Sequence, residues 1–157
     1  MKLLKLFSAV LIAVGLFGVS AFAGEAKDKV KVGFVYVGPT GDHGWTYRHD
    51  IGRQQVEEAF GDKVETMFVE SVGYGPDAER VFRQMALQGA DIIFGTSFGY
   101  MDAMRQVAEE FPNVKFEHAT GYKNNDTNFS NYGLRLYQAR HVQGIIAGMM
   151  TKTNKIC

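Results

Sequence analysis

One cysteine, one tryptophan and three prolines occur among the 157 residues, and acidic and basic side chains balance at 17 each. The lone Cys157, at the very end, excludes an internal disulfide and a metal site of paired cysteines. A charge sum of zero excludes the basic footprint that holds phosphates, so no nucleic-acid partner is expected. After the first 23 residues no run reaches the roughly 20 apolar residues of a membrane span. Internal repeats and low-complexity tracts are missing too. So are the G-x-S-x-G elbow, the P-loop and the G-x-G-x-x-G fingerprint. Gly73-Tyr74-Gly75 is too short a match to count as phosphate binding.

What is present begins with a leader. Lys2 and Lys5 precede an apolar core, Leu6 to Val19, and Ala21-Phe22-Ala23 supplies the small-x-small cleavage pattern. Residues 1–23 therefore read as a cleaved signal peptide, the alternative being an uncleaved anchor. No Cys follows the junction, so no lipid-attachment box is seen, and a soluble periplasmic protein is expected. Removing Lys2 and Lys5 from the 17 basic side chains leaves 15 against 17 acidic ones.

From Val30 onward, apolar runs alternate with helical stripes, the pattern of a parallel sheet covered by helices. Val30 to Val37 is the first strand, and Ile51 to Phe60 a helix with Gly52, Val56, Ala59 and Phe60 on one face. Val64 to Val69 is the second strand. Pro76 opens a helix with Ala78, Val81, Phe82, Met85 and Ala86 in one stripe, closed by Gly89. Asp91 to Phe94 is a short buried strand, followed by a helix bearing Met101, Met104, Ala108 and Phe111 and stopped by Pro112. Lys115 to Ala119 is a fourth strand, Lys123 to Ser130 a polar surface loop, and Asn131 to Leu136 a fifth strand. The last helix, Tyr137 to Met150, aligns Val142, Ile145, Ile146 and Met149. Lys155-Ile156-Cys157 looks like the opening of a further strand, so the chain is expected to be part of a longer protein.

The strand ends carry the chemistry. Open parallel sheets bind ligands at the carboxyl ends of their strands. Three loops would meet there: Asp42 to Thr46, Thr96 to Asp102, and His118 to Tyr122. They supply rings (Trp45, Phe98, Tyr100, Tyr122) and polar groups (Asp42, Thr46, Ser97, Asp102), while Gly44 and Gly99 sit at helix starts with backbone N–H donors. Each has a plainer reading. Trp45 reads equally as a core residue, Asp42 as a cap, Asp102 as a first-turn acid, and Phe98 as core. His43, His49 and His118 with Asp42 and Asp50 have no metal-ligand spacing, and no metal or cofactor is expected. An Asp42–His43 base pair is a weak catalytic idea, since neighbours in a loop rarely meet in that geometry. A non-enzymatic binding role is expected.

Three blocks carry a resemblance: Gly41-Asp42-His43-Gly44-Trp45-Thr46-Tyr47, Thr96-Ser97-Phe98-Gly99-Tyr100-Met101-Asp102 and Phe116-Glu117-His118-Ala119-Thr120-Gly121-Tyr122-Lys123. With Gln143 to Gly148, they make the chain, from Val30 to Lys155, resemble the basic membrane protein family of ABC-transporter substrate-binding proteins. The resemblance implies a Rossmann-like parallel sheet with helices on both faces, the first lobe of a type I periplasmic-binding fold. It implies a lobe over residues 24–136, with 137–157 starting a second lobe, and a purine base or nucleoside held between two lobes. Trp45 would stack on the ligand and Thr46 meet its edge. Asp42, Gly44, Ser97, Phe98, Tyr100, Asp102, Gly121 and Tyr122 would complete the wall. Nucleoside-binding members commonly carry Phe-Asn where this chain has Trp45-Thr46, which favours a free base, adenine first. An inner-membrane ABC permease would be the partner, with the complete protein a monomer. The rivals are a sensor docking on a receptor kinase and a periplasmic nucleoside-processing enzyme.

Overall fold

A computed structural model describes residues 29–156; the expected signal segment, residues 1–23, lies outside the described residues, as does Cys157. Five strands form one sheet: β1 (Val30–Val35), β2 (Val64–Val69), β3 (Ile92–Gly95), β4 (Lys115–Ala119) and β5 (Phe129–Tyr132). Every pairing is parallel, in the order β2-β1-β3-β4-β5. The helices are α1 (Trp45–Phe60), α2 (Pro76–Leu87), α3 (Met101–Glu110) and α4 (Leu136–Met150).

Alternation along β1 divides the core in two. Val35 joins Ile93, Phe116 and Phe129 beneath α2 and α3, where Phe82, Met85, Met104 and Val107 are buried. Val32, Phe34 and Tyr36 point to the opposite face, against Val56 of α1. The sheet is thus covered on both sides, as a run of successive strand-helix units requires. Burying a side chain such as Phe82 contributes about 2 kcal/mol, so the α2/α3 layer dominates stability. The stripes expected on α2 and α3 are buried as read, Phe111 only in part.

Gly89 stops α2 in a left-handed turn (φ 86°). Its N–H donates to the Ala86 carbonyl, and that of Ala90 to the Met85 carbonyl. Both bonds satisfy carbonyls that a helix end leaves open.

Four readings shift. The first helix starts at Trp45, and Ala59 and Phe60 are exposed; it buries Thr46 and Asp50 instead. Strand β3 runs Ile92 to Gly95, because Asp91 lies at its mouth, accepting from the Lys31 N–H through its carboxylate. Strand β5 begins at Phe129, which pairs with Phe116, and ends at Tyr132, so Leu136 opens α4. Finally, the polar loop is not all surface. Asn125 Oδ1 accepts from the N–H groups of Thr127, Asn128 and Phe129, and Asn128 is buried.

On the α1 side a cleft of about 610 Å³ remains over the sheet, lined by Phe34, Phe94, Val56, Tyr132 and Leu134 among others. The α4 helix has no buried residue, and its Val142, Ile145, Ile146 and Met149 are exposed.

Candidate functional site

The strands all point one way, so the loops after β1, β2, β3 and β4 share one edge of the sheet. The β3 loop is their hub. Trp45 donates its indole Nε1–H to the Thr96 carbonyl at 2.5 Å, which fixes the ring against the third loop while leaving it part exposed. The His49 ring packs 4.6 Å from it, held by a 2.8 Å contact between His49 Nδ1 and the Trp45 carbonyl. Phe98 is 55% exposed and lies 6.3 Å from the ring of Tyr122, which is 71% exposed. Trp45, Phe98 and Tyr122 thus leave ring surface uncovered at the strand ends.

The polar groups are largely engaged within the fold. Asp42 accepts from the N–H groups of Gly44 at 2.7 Å, Tyr47 at 3.0 Å and Thr46 at 3.3 Å. Those bonds, with Gly44 first, hold its carboxyl below the usual carboxylate range. Asp42 thus caps α1 from two residues before Gly44, the formal N-cap, whose own N–H it consumes. Asp102 is exposed and pairs with Lys123 Nζ at 2.5 Å, a bond that holds its carboxyl low as well.

Two of the expected contacts are placed inside the fold, a correction to the sequence reading. Thr46 is fully buried, its hydroxyl accepting from the Gly38 N–H at 3.2 Å. Tyr100 is fully buried too, and its hydroxyl donates to the Val72 carbonyl at 2.7 Å. Both hold the loops in place instead of facing a ligand. Burial pushes the Tyr100 phenol pKa well up, as expected for a core tyrosine. Gly121 is also a packing requirement: a Cβ there would collide with the His118 ring and the Asn131 amide. His118 itself is buried, with its ring nitrogens 2.8 Å from the Ser97 carbonyl and 3.1 Å from Asn131 Oδ1. It staples the β3 loop to β5.

Sequence reasoning missed Tyr74. This residue of the β2–α2 loop is 55% exposed, and its hydroxyl lies 3.0 Å from that of Ser97. Its ring packs on Gly99, where a Cβ would come within 2.6 Å of ring carbons, and edge-on to Tyr100 at 5.5 Å. The signal was available in a lone aromatic between two glycines at a strand end. Among the described residues no group of three or more His, Cys, Asp or Glu could hold a metal.

Known proteins resemble this chain closely. A purine-binding protein of Brucella abortus is 57% identical over 130 residues, which are 83% of this chain and 37% of that protein. A proposed ABC transporter glucose-binding protein of Haloferax volcanii is 44% identical over 129 residues, covering 82% of this chain and 32% of its relative. The chain thus matches well under half the length of either. A solved solute-binding protein of an ABC transporter from Conexibacter woesei aligns with a TM-score of 0.63 at 23% identity, over 76% of this chain and 40% of that one. At that identity the likeness speaks for the fold alone, a lobe of the periplasmic-binding type. Residues 29–157 match the model of the PnrA-like ABC transporter substrate-binding proteins, and the chain belongs to that family.

Proposed function

We propose that the chain forms the first lobe of a periplasmic solute-binding protein that delivers a purine base, adenine first, or a purine nucleoside to an inner-membrane ABC permease. The observation that carries this reading is the set of exposed rings at the strand ends, with Trp45 fixed by its own N–H to Thr96. A flat ring held edge-on by the fold presents a face for stacking at little entropic cost. The purine-binding name of the Brucella relative supports the same cargo. Residues 1–23 direct export and are removed. Residues 24–136 form the lobe, and 137–157 lead into a second lobe that closes on the ligand from the other side. The protein performs no chemistry, and the complete form is a monomer.

A sugar is the second reading, favoured by the glucose-binding name of the Haloferax relative. The two readings separate in a chimera carrying residues 29–156 in place of the matching stretch of the Brucella protein. Quenching of Trp45 fluorescence by adenine at micromolar concentration, abolished by Trp45→Ala as followed by calorimetry, is the expected result. Glucose binding with no response to adenine, hypoxanthine or adenosine overturns the purine assignment. For the exported chain alone, with one wall of the cleft, affinity weaker by at least about 100-fold is expected, since half the contacts are missing.

A further inference from the structure

We propose that the hydroxyl pair of Tyr74 and Ser97 forms a polar edge of the binding surface at the strand ends, and that Tyr74 is a ligand contact that sets specificity. This rests on the reading that the strand ends take a flat heteroaromatic solute.

The argument is an inventory of hydrogen bonds. Asp42 already accepts from three backbone N–H groups, and Trp45 has given its only donor to Thr96. Thr46 and Tyr100 are fully buried with their hydroxyls engaged, and Asp102 is paired with Lys123. The Tyr74 and Ser97 hydroxyls, 3.0 Å apart, are different. Two hydroxyls share one proton between them and leave the second O–H, with free lone pairs, for a third group. Ser97 is buried and Tyr74 is 55% exposed, so that third group approaches from the Tyr74 side.

Tyr74 is also held as a contact residue needs to be. Gly99 is its seat, Tyr100 meets its ring edge-on, and Ser97 fixes its hydroxyl. Behind it the loop is tied down by the Gly73 N–H to the Asp77 carboxylate at 3.1 Å, and Gly75 turns with φ 67°. Trp45 hangs on Thr96 and Tyr74 on Ser97, so one loop positions both rings through consecutive residues. A hydroxyl pair donates or accepts as required. It can therefore serve a ring nitrogen, an amino group or a keto oxygen, and the site should accept both adenine and hypoxanthine.

The test is an amide-resolved NMR titration of the chimera described above with adenine, hypoxanthine and 1-methylindole, the last being flat but lacking an edge donor or acceptor. Adenine is expected to shift the Trp45 indole signal together with the Ser97 and Gly99 amides. Tyr74→Phe should weaken adenine and hypoxanthine about 3- to 10-fold, the scale of one neutral hydrogen bond, and leave 1-methylindole unchanged. Ser97→Ala should do the same, which covers the case in which Tyr74→Phe fails to fold. Unchanged adenine affinity in both variants, with the Trp45 response intact, overturns this proposal and leaves the purine reading standing. Equal weakening of all three ligands with a lowered melting temperature overturns it as well, as the mark of a purely structural pair. No Trp45 response to adenine in the unsubstituted chimera sinks the purine reading and this proposal together.

Discussion

Asp50 shows what a single residue can conceal in a sequence. It lies on the inner side of α1, where its carboxylate accepts from Arg53 Nε and Gln54 Nε2 at 2.7 Å each and from the Tyr36 hydroxyl at 3.3 Å. Burial pushes its pKa up, but the bonds from Arg53 and Gln54 outweigh that and hold it below the usual value. A depressed acid adds stability that is complete above its ordinary pKa, about 4, and is lost as pH falls through the folded value. Asp42 and Asp102 are depressed too and act in the same direction. Asp50→Asn should therefore flatten, without abolishing, the loss of stability below about pH 4. At pH 7 it should cost about 1 to 3 kcal/mol, because the half-buried Arg53 loses the carboxylate at its Nε and keeps only Glu57 and Thr66 at Nη1. Urea unfolding at both pH values checks this, and an unaltered pH slope refutes it. Nothing in Arg48-His49-Asp50 marks the Asp as inward-facing, since Arg53 and Gln54 at i+3 and i+4 read as ordinary surface pairing and Tyr36 comes from another element.

Among the elements, α2 and α3 were readable because their inner faces are uniformly apolar, and a 3.6-residue stripe needs no partner to be recognised. The β4–β5 connection was not. Its asparagines look like solvent-facing turn residues, yet the Asn128 Nδ2 group lies 2.9 Å from the Ala108 carbonyl, 3.0 Å from that of Phe111 and 2.9 Å from that of Val114. Pro112 has no N–H to offer the Ala108 carbonyl at the end of α3, and a side chain 20 residues away supplies one; the Phe111 carbonyl also accepts from the Val114 N–H, and the two Asn128 N–H groups are shared among the three carbonyls. Asn128→Ala should destabilise the chain by about 2 kcal/mol, the cost of buried carbonyls without donors. Asn128→Asp should cost more at neutral pH, where a carboxylate would face three carbonyl oxygens. Thermal melts of both variants decide it: values within about 0.5 kcal/mol of the parent would show that the loop is not a structural clamp.

At the scale of the molecule, the described residues leave two apolar surfaces in water: the cleft beside α1 and the stripe on α4. Exposed patches of this kind bind dyes and partners. Residues 24–157 are expected to enhance ANS fluorescence and to associate with rising concentration in sedimentation. Val142→Lys with Ile145→Glu should reduce both, and a monodisperse parent that ignores the dye would refute the expectation. The sequence alone determined the parallel α/β layering, the strand β2, the strand β4, the buried stripes of α2 and α3, and the family, because periodicity and contiguous motifs are local properties. Only the tertiary structure decided which strand-end side chains stay accessible and which are engaged within the fold. It turned Thr46 and Tyr100 inward, consumed Asp42 as a cap and brought Tyr74 against Ser97. A side chain's hydrogen-bonding capacity is available to a ligand only when the fold has not already used it, and its users come from distant parts of the chain.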